Sequence, residues 1–449
     1  MTEEALPEQF PTLNLSSLRE SLGVDEPGAD MYESCMSLYP ICRSITGDGV
    51  RETLAFIGAD LPLVVHEVPS GTPVLDWTVP REWNIRDAFV KNAAGERVID
   101  FADSNLHVVG YSVPVHGRAT LSELKAHLYS LPDRPEWIPY RSSFYAENWG
   151  FCLSDAKLSE LPDGEYEYCI DSTLSNGSLT YAELTLPGTS TDEILISCHI
   201  CHPSLCNDNL AGIAVATYLA RYLAVVPHRY TYRFLFIPVT IGAITWLARN
   251  ESDLDRIQHG LVLSLLGDRG HITYKRSQRE CAVVDRAAEH VLAHSGAPFD
   301  IIDFSPYGYD ERQFCSPGFD LPVGCLMRTP HGKYPEYHTS GDNLDFIDAA
   351  SLEGSLDTGL KILEVLEKNA VYRNLKPKGE PQLGRRGLYR AMADRTDGGF
   401  DEMALLWVLN QSDGTRSLLD IAERSSLPFA VLHRAATALL EHDLVEKVG

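Results

Sequence analysis

EILISCHICHPSLCNDNLAGIAVATYLARYL, residues 193–223, carries the pattern around which the rest of the chain is read. Its apolar run Ile194-Leu195-Ile196 stops at a knot of Cys, His and Asp, after which apolar residues recur at Leu210, Ile213, Ala214 and Leu219. The textures are those of a strand, a polar turn and a helix. In an open α/β sheet, ligands collect beyond the carboxyl ends of the strands, so His199, Cys201, His202, Asn207, Asp208 and Asn209 stand where chemistry is usually placed.

Working outward, strand-like and helix-like stretches alternate from Glu165 onward. Strands are expected at 165–171, 179–185, 194–196, 232–237, 261–266 and 323–327, and helices after Asp208, from Ile244, at 282–294 and at 351–368. This predicts an α/β fold, a mostly parallel mixed sheet with helices on both faces. Upstream, short β-like runs at 63–68, 98–101 and 106–109, set off by turn signals such as Ser70-Gly71-Thr72-Pro73, predict a small β-rich domain. Residues 31–56 read as helices broken at Pro40, and 1–30 as an arm that packs late or not at all. Downstream, Asn374–Asp397 is rich in Pro, Gly and Arg, including Arg390 and Arg395, and reads as a linker. Three short helices (402–409, 417–423, 428–442) and a terminal strand at 444–446 then form a winged-helix pattern. The expected division is 1–62, the N-terminal helical part of the main domain; 63–130, the inserted small β domain; 131–373, the main domain; 374–400, the linker; and 401–449, the winged helix.

Composition excludes several function classes. At 449 residues and 44% apolar, the chain has ample material for a large core. Its formal charge of −25 gives no electrostatic reason to approach nucleic acid or anionic lipid. Residues 401–449 hold eight acidic residues against four basic ones, so the winged helix reads as a packing or protein-contact module. The first twenty residues lack the basic start and apolar run of a signal peptide, and no uncharged stretch reaches the length of a membrane span. The ten cysteines are scattered through apolar segments, which reads as reduced thiols and a cytoplasmic location. Oligomeric state, including a homo-oligomer, stays open.

A zinc site needs three or four N, O or S donors from separate segments, and a catalytic one keeps a position open. The first segment offers His199, Cys201, His202 and Asp208; a second, Lys333-Tyr-Pro-Glu-Tyr-His-Thr-Ser-Gly-Asp342, offers His338 after the 323–327 strand. Two His and one Asp from two such loops make a metal centre the expected chemistry, with His199 and His202 both open as the first ligand.

These residues also carry a resemblance. Asn207-Asp208-Asn209-Leu210-Ala211-Gly212 resembles the aspartate turn of the zinc-dependent aminopeptidases of the bacterial leucyl aminopeptidase and glutamate carboxypeptidase class, and His338-Thr-Ser-Gly-Asp342 is similar to their histidine loop. A closer similarity is to an aminopeptidase-like bacterial family with an inserted small β domain and a C-terminal winged helix, found beside biosynthetic genes. Its phrases stand here at 71–86, Cys201-His-Pro-Ser-Leu-Cys-Asn-Asp208, Asp310-Glu-Arg-Gln313 and Tyr334-Pro-Glu-Tyr-His338. The resemblance implies His199, Asp208 and His338 as zinc ligands. It also implies that Asp310–Gln313 line the cleft, with Glu311 and Arg312 able to meet a substrate amine or carboxylate; Gln313 and Tyr337 are further candidates for substrate binding.

The departures from that family of peptidases matter as much. Val239-Thr240 stands where an acidic pair is expected, Cys201 replaces an aspartate, and Ser264 replaces a ligand to a second metal. One zinc is therefore the expected stoichiometry. A lost general base costs on the order of 10²–10⁴ in rate, so Asp268, Asp310 and Glu311 become the candidate substitutes. The leading expectation is a zinc-dependent hydrolase of a peptide or amide bond in a small biosynthetic substrate. The alternatives are a degenerate scaffold that binds a metabolite or partner, and a zinc-assisted acyl transfer or cyclisation without hydrolysis.

Overall fold

The computed structural model of the chain describes residues 10–388 and 402–448. Part of the expected linker, with Arg390 and Arg395, lies outside the described residues. An eight-stranded mixed sheet organises the molecule. Its strands run in the order Val64–Pro69, Ser178–Leu186, Thr231–Ile237, Glu193–His199, Ile257–Leu263, Val323–Met327, Ile272–Lys275 and Phe299–Ile302. The inner pairings are parallel, 231–237 with 193–199, 193–199 with 257–263, and 257–263 with 323–327, whereas 64–69, 178–186 and 231–237 join antiparallel along one flank. On the other flank 272–275 pairs antiparallel with 323–327 and parallel with 299–302.

Every residue of the 193–199 strand is buried, because both of its faces are covered. Ile194, Ile196 and Cys198 face a core shared with the helices Ala211–Leu223 and Ala349–Lys368; Leu195 faces the core shared with Ile241–Asn250 and the small β region. The alternation of strand side chains divides one short run between two cores. The parallel strands share a direction, so the loops that follow 193–199, 257–263 and 323–327 gather at one edge of the sheet.

The structure reassigns three segments. Val64–Pro69, expected in the small β domain, is the edge strand of the large sheet. Glu165–Ser175, expected as the first strand of the main sheet, is instead paired with Glu82–Lys91 and Val115–Thr120 in a separate four-stranded sheet that also takes Arg97–Asp100. The expected loose arm is ordered from residue 10: Leu15–Leu22 is a helix capped by Asn14, with Leu13 and Leu18 buried in the core. The winged helix has its three helices at Glu402–Gln411, Leu418–Ser425 and Phe429–Glu441, and the central strand of its sheet, Val371–Asn374, precedes the linker. It is fastened to the main domain by Arg286, which pairs with Asp420 and Glu423, and by His290, whose Nε2 accepts the Phe429 N–H at 2.9 Å. All ten cysteines are free thiols.

Candidate functional site

Asp208 is brought to the sheet edge by a turn that its neighbours clamp from both sides. The backbone N–H groups of Asn207 and Asp208 donate to the Asp342 carboxylate at 2.6 and 3.0 Å. Asn207 uses its side chain on the 264–268 loop, accepting from Gly267 and Asp268 N–H and donating to the Asp268 carboxylate at 3.0 Å. The His338 loop is held in turn by the connector 137–142: Tyr140 N–H donates to the His338 carbonyl at 2.8 Å, and Ile138 N–H to Ser340 Oγ at 2.9 Å. Trp137 lies so close over Gly341 that a Cβ there would stand 2.8 Å from its ring. His338 itself has φ +56°, a left-handed conformation that a non-glycine residue adopts at a cost, and such residues gather at functional sites.

The expected ligands meet. His199 Nε2 stands 2.9 Å from one Asp208 carboxylate oxygen, and His338 Nε2 stands 3.1 Å from the other. His202 also faces that second oxygen, at 4.0 Å, and the donor atoms of His199, His202 and Asp208 lie within 4.8 Å of one another. His199 is thus the nearer of the two histidines that the sequence left open. Burial alone would raise the Asp208 carboxyl; the histidines around it, with His199 and His338 hydrogen-bonded to its two oxygens, prevail and hold it well below the usual carboxylate range. Burial pushes His202 down to about 3, which keeps its imidazole neutral and fit to coordinate. Two or three imidazole nitrogens aimed at one ionised carboxylate form the N/O donor set that zinc takes, so these residues fit such an ion.

The remaining expected residues divide sharply. Asp310 and Glu311 are fully buried beside Tyr309, whose ring stacks on His199 with centroids 5.0 Å apart. Asp310 Oδ1 and Glu311 Oε2 have no hydrogen-bond partner. Burial, helped by the neighbouring Glu311, raises Asp310 well above the ordinary carboxyl range. Glu311 Oε1 is paired at 2.8 Å with the buried ammonium of Lys275, which also donates to the Ser305 and Tyr307 carbonyls. Arg312 and Gln313 follow in the same turn, both half-buried, and Arg312 Nε has no partner. Tyr337 stacks on His338 at 4.0 Å. Asp268 is placed differently: it accepts from Asn207, Gly270, and both the N–H and hydroxyl of Thr329.

Val239 lies half-buried just past the 231–237 strand, where its N–H meets Cys201 Sγ at 3.3 Å. The thiol is therefore engaged with backbone, with His202 Nδ1 3.6 Å away. Ser264 is buried beside the Tyr309 hydroxyl. Sequence reasoning missed Tyr309, Lys275 and Tyr140, whose ring is edge-on to His338 at 5.1 Å and tilted to His202 at 5.3 Å. Adjacency to Asp310 could have suggested Tyr309; nothing in the local sequence marks Lys275.

Residues 32–369 match the family model described as Domain of unknown function (DUF4910), and residues 370–447 match a winged helix-turn-helix family. A protein of Clostridium acetobutylicum, provisionally named for polysaccharide biosynthesis with an aminopeptidase-like domain, is 51% identical over 423 residues, 94% of this chain and 97% of its own length. A crystal structure of a C. acetobutylicum chain, provisionally called a peptidase, superposes with a TM-score of 0.91 at 48% identity, over 96% of this chain and 98% of that one. BSAP, a zinc aminopeptidase from Bacillus subtilis, shares the fold at 12% identity, with a TM-score of 0.55 over 76% of this chain and 95% of its own.

Proposed function

The chain belongs to the aminopeptidase-like DUF4910 family, and from that premise we propose that it is a one-zinc hydrolase of an amide bond in a small biosynthetic substrate. The observation that carries this reading is the sharing of one buried carboxylate, Asp208, between His199 and His338 at 2.9 and 3.1 Å. These three residues would hold the ion, with His202 beside them. Zinc there would supply Lewis-acid polarisation of the amide carbonyl and a more acidic water. The biosynthetic setting follows the name of the C. acetobutylicum relative.

The chain's own groups have distinct tasks. Asp310, kept neutral by burial, holds a proton on a carboxyl with an unpartnered oxygen, so it can deliver that proton to a departing amine nitrogen. Glu311 carries the complementary role. Lys275 compensates its charge through Oε1, and the free Oε2 can accept a proton from water. Two adjacent carboxyl groups in different environments are thereby separated into acid and base. Asp268 takes no such part, because its oxygens are committed to four donors that shape the Asp208 turn. Tyr337 and Arg312 flank the approach and orient what binds.

Val239 favours a second reading. The isopropyl group there offers no carboxylate, as a scaffold that binds without turnover would require. Zinc-loaded protein that releases amine from small amides, and loses this on chelation, supports the hydrolase. Zinc-loaded protein that stays inert until Val239→Glu is made supports the scaffold.

A further inference from the structure

We propose that a pocket in the seam between the main domain and the winged helix is a binding site for a small α-amino acid, separate from the Asp208 centre and independent of what that centre does.

The seam lies at the end of the sheet away from Asp208. Asp192, Arg229 and His259 stand at or just before the N-terminal ends of strands 193–199, 231–237 and 257–263, so they gather at the edge opposite the one where His199 ends its strand. Here the chain passes from helix 349–368 into the winged helix, and Ser417 and Lys447 of the winged helix face them. The pocket between has a volume of about 340 Å³, within the range of small-molecule sites.

Two opposite charges line this pocket without pairing. Asp192 and Arg229 form no ion pair with each other, nor, among the described residues, with any other side chain. Arg229 is positioned by Nη1, which donates to the Asn369 carbonyl at 2.9 Å, and by the Tyr230 ring, over which the guanidinium sits at 4.7 Å. Its Nε and Nη2 remain for an occupant. Asp192 is positioned through its backbone, the N–H donating to Ser190 Oγ and the carbonyl accepting from Thr231 N–H, which leaves its carboxylate for the same purpose. Both charges act on the Tyr230 hydroxyl, in opposite senses. Glu367, the other carboxylate close by, is consumed by the Arg229 and Tyr230 N–H groups and the Tyr232 hydroxyl.

An α-amino acid carries the complement of this arrangement: a carboxylate for the guanidinium fork and an ammonium group for Asp192. A bare anion would meet repulsion from Asp192, and a bare amine from Arg229. Val283, Leu366 and the Tyr230 ring supply an apolar wall for the side chain. His259, edge-on to Tyr230 at 5.4 Å, adds no competing charge, since burial and Arg229 lower its imidazole to about 4. Its Nδ1 has no hydrogen-bond partner, an uncommon state for a buried polar atom. An occupant here lies against both domains, so it favours the docked arrangement of the winged helix over any other.

The test is calorimetry on the purified full chain with glycine, alanine and leucine, each set against the two counterparts that lack one charge: acetate and methylamine, propionate and ethylamine, 4-methylpentanoate and 3-methylbutylamine. At least one amino acid is expected to bind at about one per chain with a Kd of about 1 mM or tighter, and its counterparts about tenfold or more weaker. Asp192→Asn, which keeps the backbone contacts, and Arg229→Met should each weaken that binding about tenfold, the worth of one charge-assisted hydrogen bond. Asp208→Asn should leave it unchanged, because the Asp208 centre is at the other end of the sheet. Protein that binds none of the three, binds a singly charged counterpart as well, or is indifferent to Asp192→Asn overturns the proposal. Loss of binding in Asp208→Asn places the amino acid at the other centre and overturns it as well.

Discussion

Four buried carboxyl groups lie around the Asp208 turn, and the fold treats them as two opposite pairs. Asp268 and Asp342 are saturated: the first accepts from Asn207, Gly270 and Thr329, the second from the backbone of Asn207 and Asp208. Asp310 and Glu311 are as deeply buried, yet each leaves an oxygen with no donor. The pairs are alike in residue type and in burial. Bonding separates them, and a saturated carboxylate maintains a shape whereas one with a free oxygen keeps a capacity for proton transfer or ligand contact.

The contrast breaks most visibly in activity. Asp310→Asn is expected to lower kcat on order of 10²–10⁴, with an unfolding free energy within about 1 kcal/mol of the parent. Asp268→Ala should do the reverse in stability, costing about 3 kcal/mol in denaturant unfolding, because Asn207 and Thr329 are left with buried unmet donors. A stable Asp268→Ala protein would show that saturation is not what marks a scaffold carboxylate. Lys275→Met sharpens the distinction within the second pair. The ion pair with Glu311 is fully buried, so removing one partner should cost about 3–5 kcal/mol at neutral pH; a chemical-denaturation curve checks this.

A smaller effect extends the rule from carboxylates to imidazoles. His290 Nε2 is engaged by the Phe429 N–H in the seam with the winged helix, and burial with the neighbouring His294 lowers it to about 4. Because the folded value lies below the ordinary 6.5, the unfolded chain takes up the proton first as pH falls. The contribution of His290 is complete above about pH 6.5 and drains away toward pH 4. His290→Gln keeps an acceptor without a proton-binding nitrogen, and its thermal midpoint should fall less steeply over that window. Equal slopes in the two proteins would remove His290 from the account.

What the sequence disclosed follows from how completely an element is buried. The 193–199 strand is apolar because both faces are covered, and its end at His199 with the following helix could be read directly. The 64–69 strand is an edge, mostly exposed, and its mixed residues do not say which sheet it joins. Glu165–Ser175 mixes a few buried positions (166, 170 and 172) with half-buried and exposed ones, as a strand in a half-solvated sheet does; its partners, 82–91 and 115–120, are fixed only by long-range pairing. That His199, Asp208 and His338 come together was legible because their residue types and loop positions resemble those of metal sites. Lys275 was not, since a lysine acquires its meaning there only from Glu311, 36 positions away. The saturation of Asp268 was hidden for the same reason, with Thr329 arriving from 61 positions downstream.

The central claim, that one ion is held by Asp208 with His199 and His338, is tested most directly by zinc content. The full chain, loaded with zinc and dialysed against metal-free buffer, is expected to retain about one zinc per chain by elemental analysis. His199→Ala, Asp208→Asn and His338→Ala should each retain little. Protein that retains none, or variants that hold as much as the parent, would contradict the account.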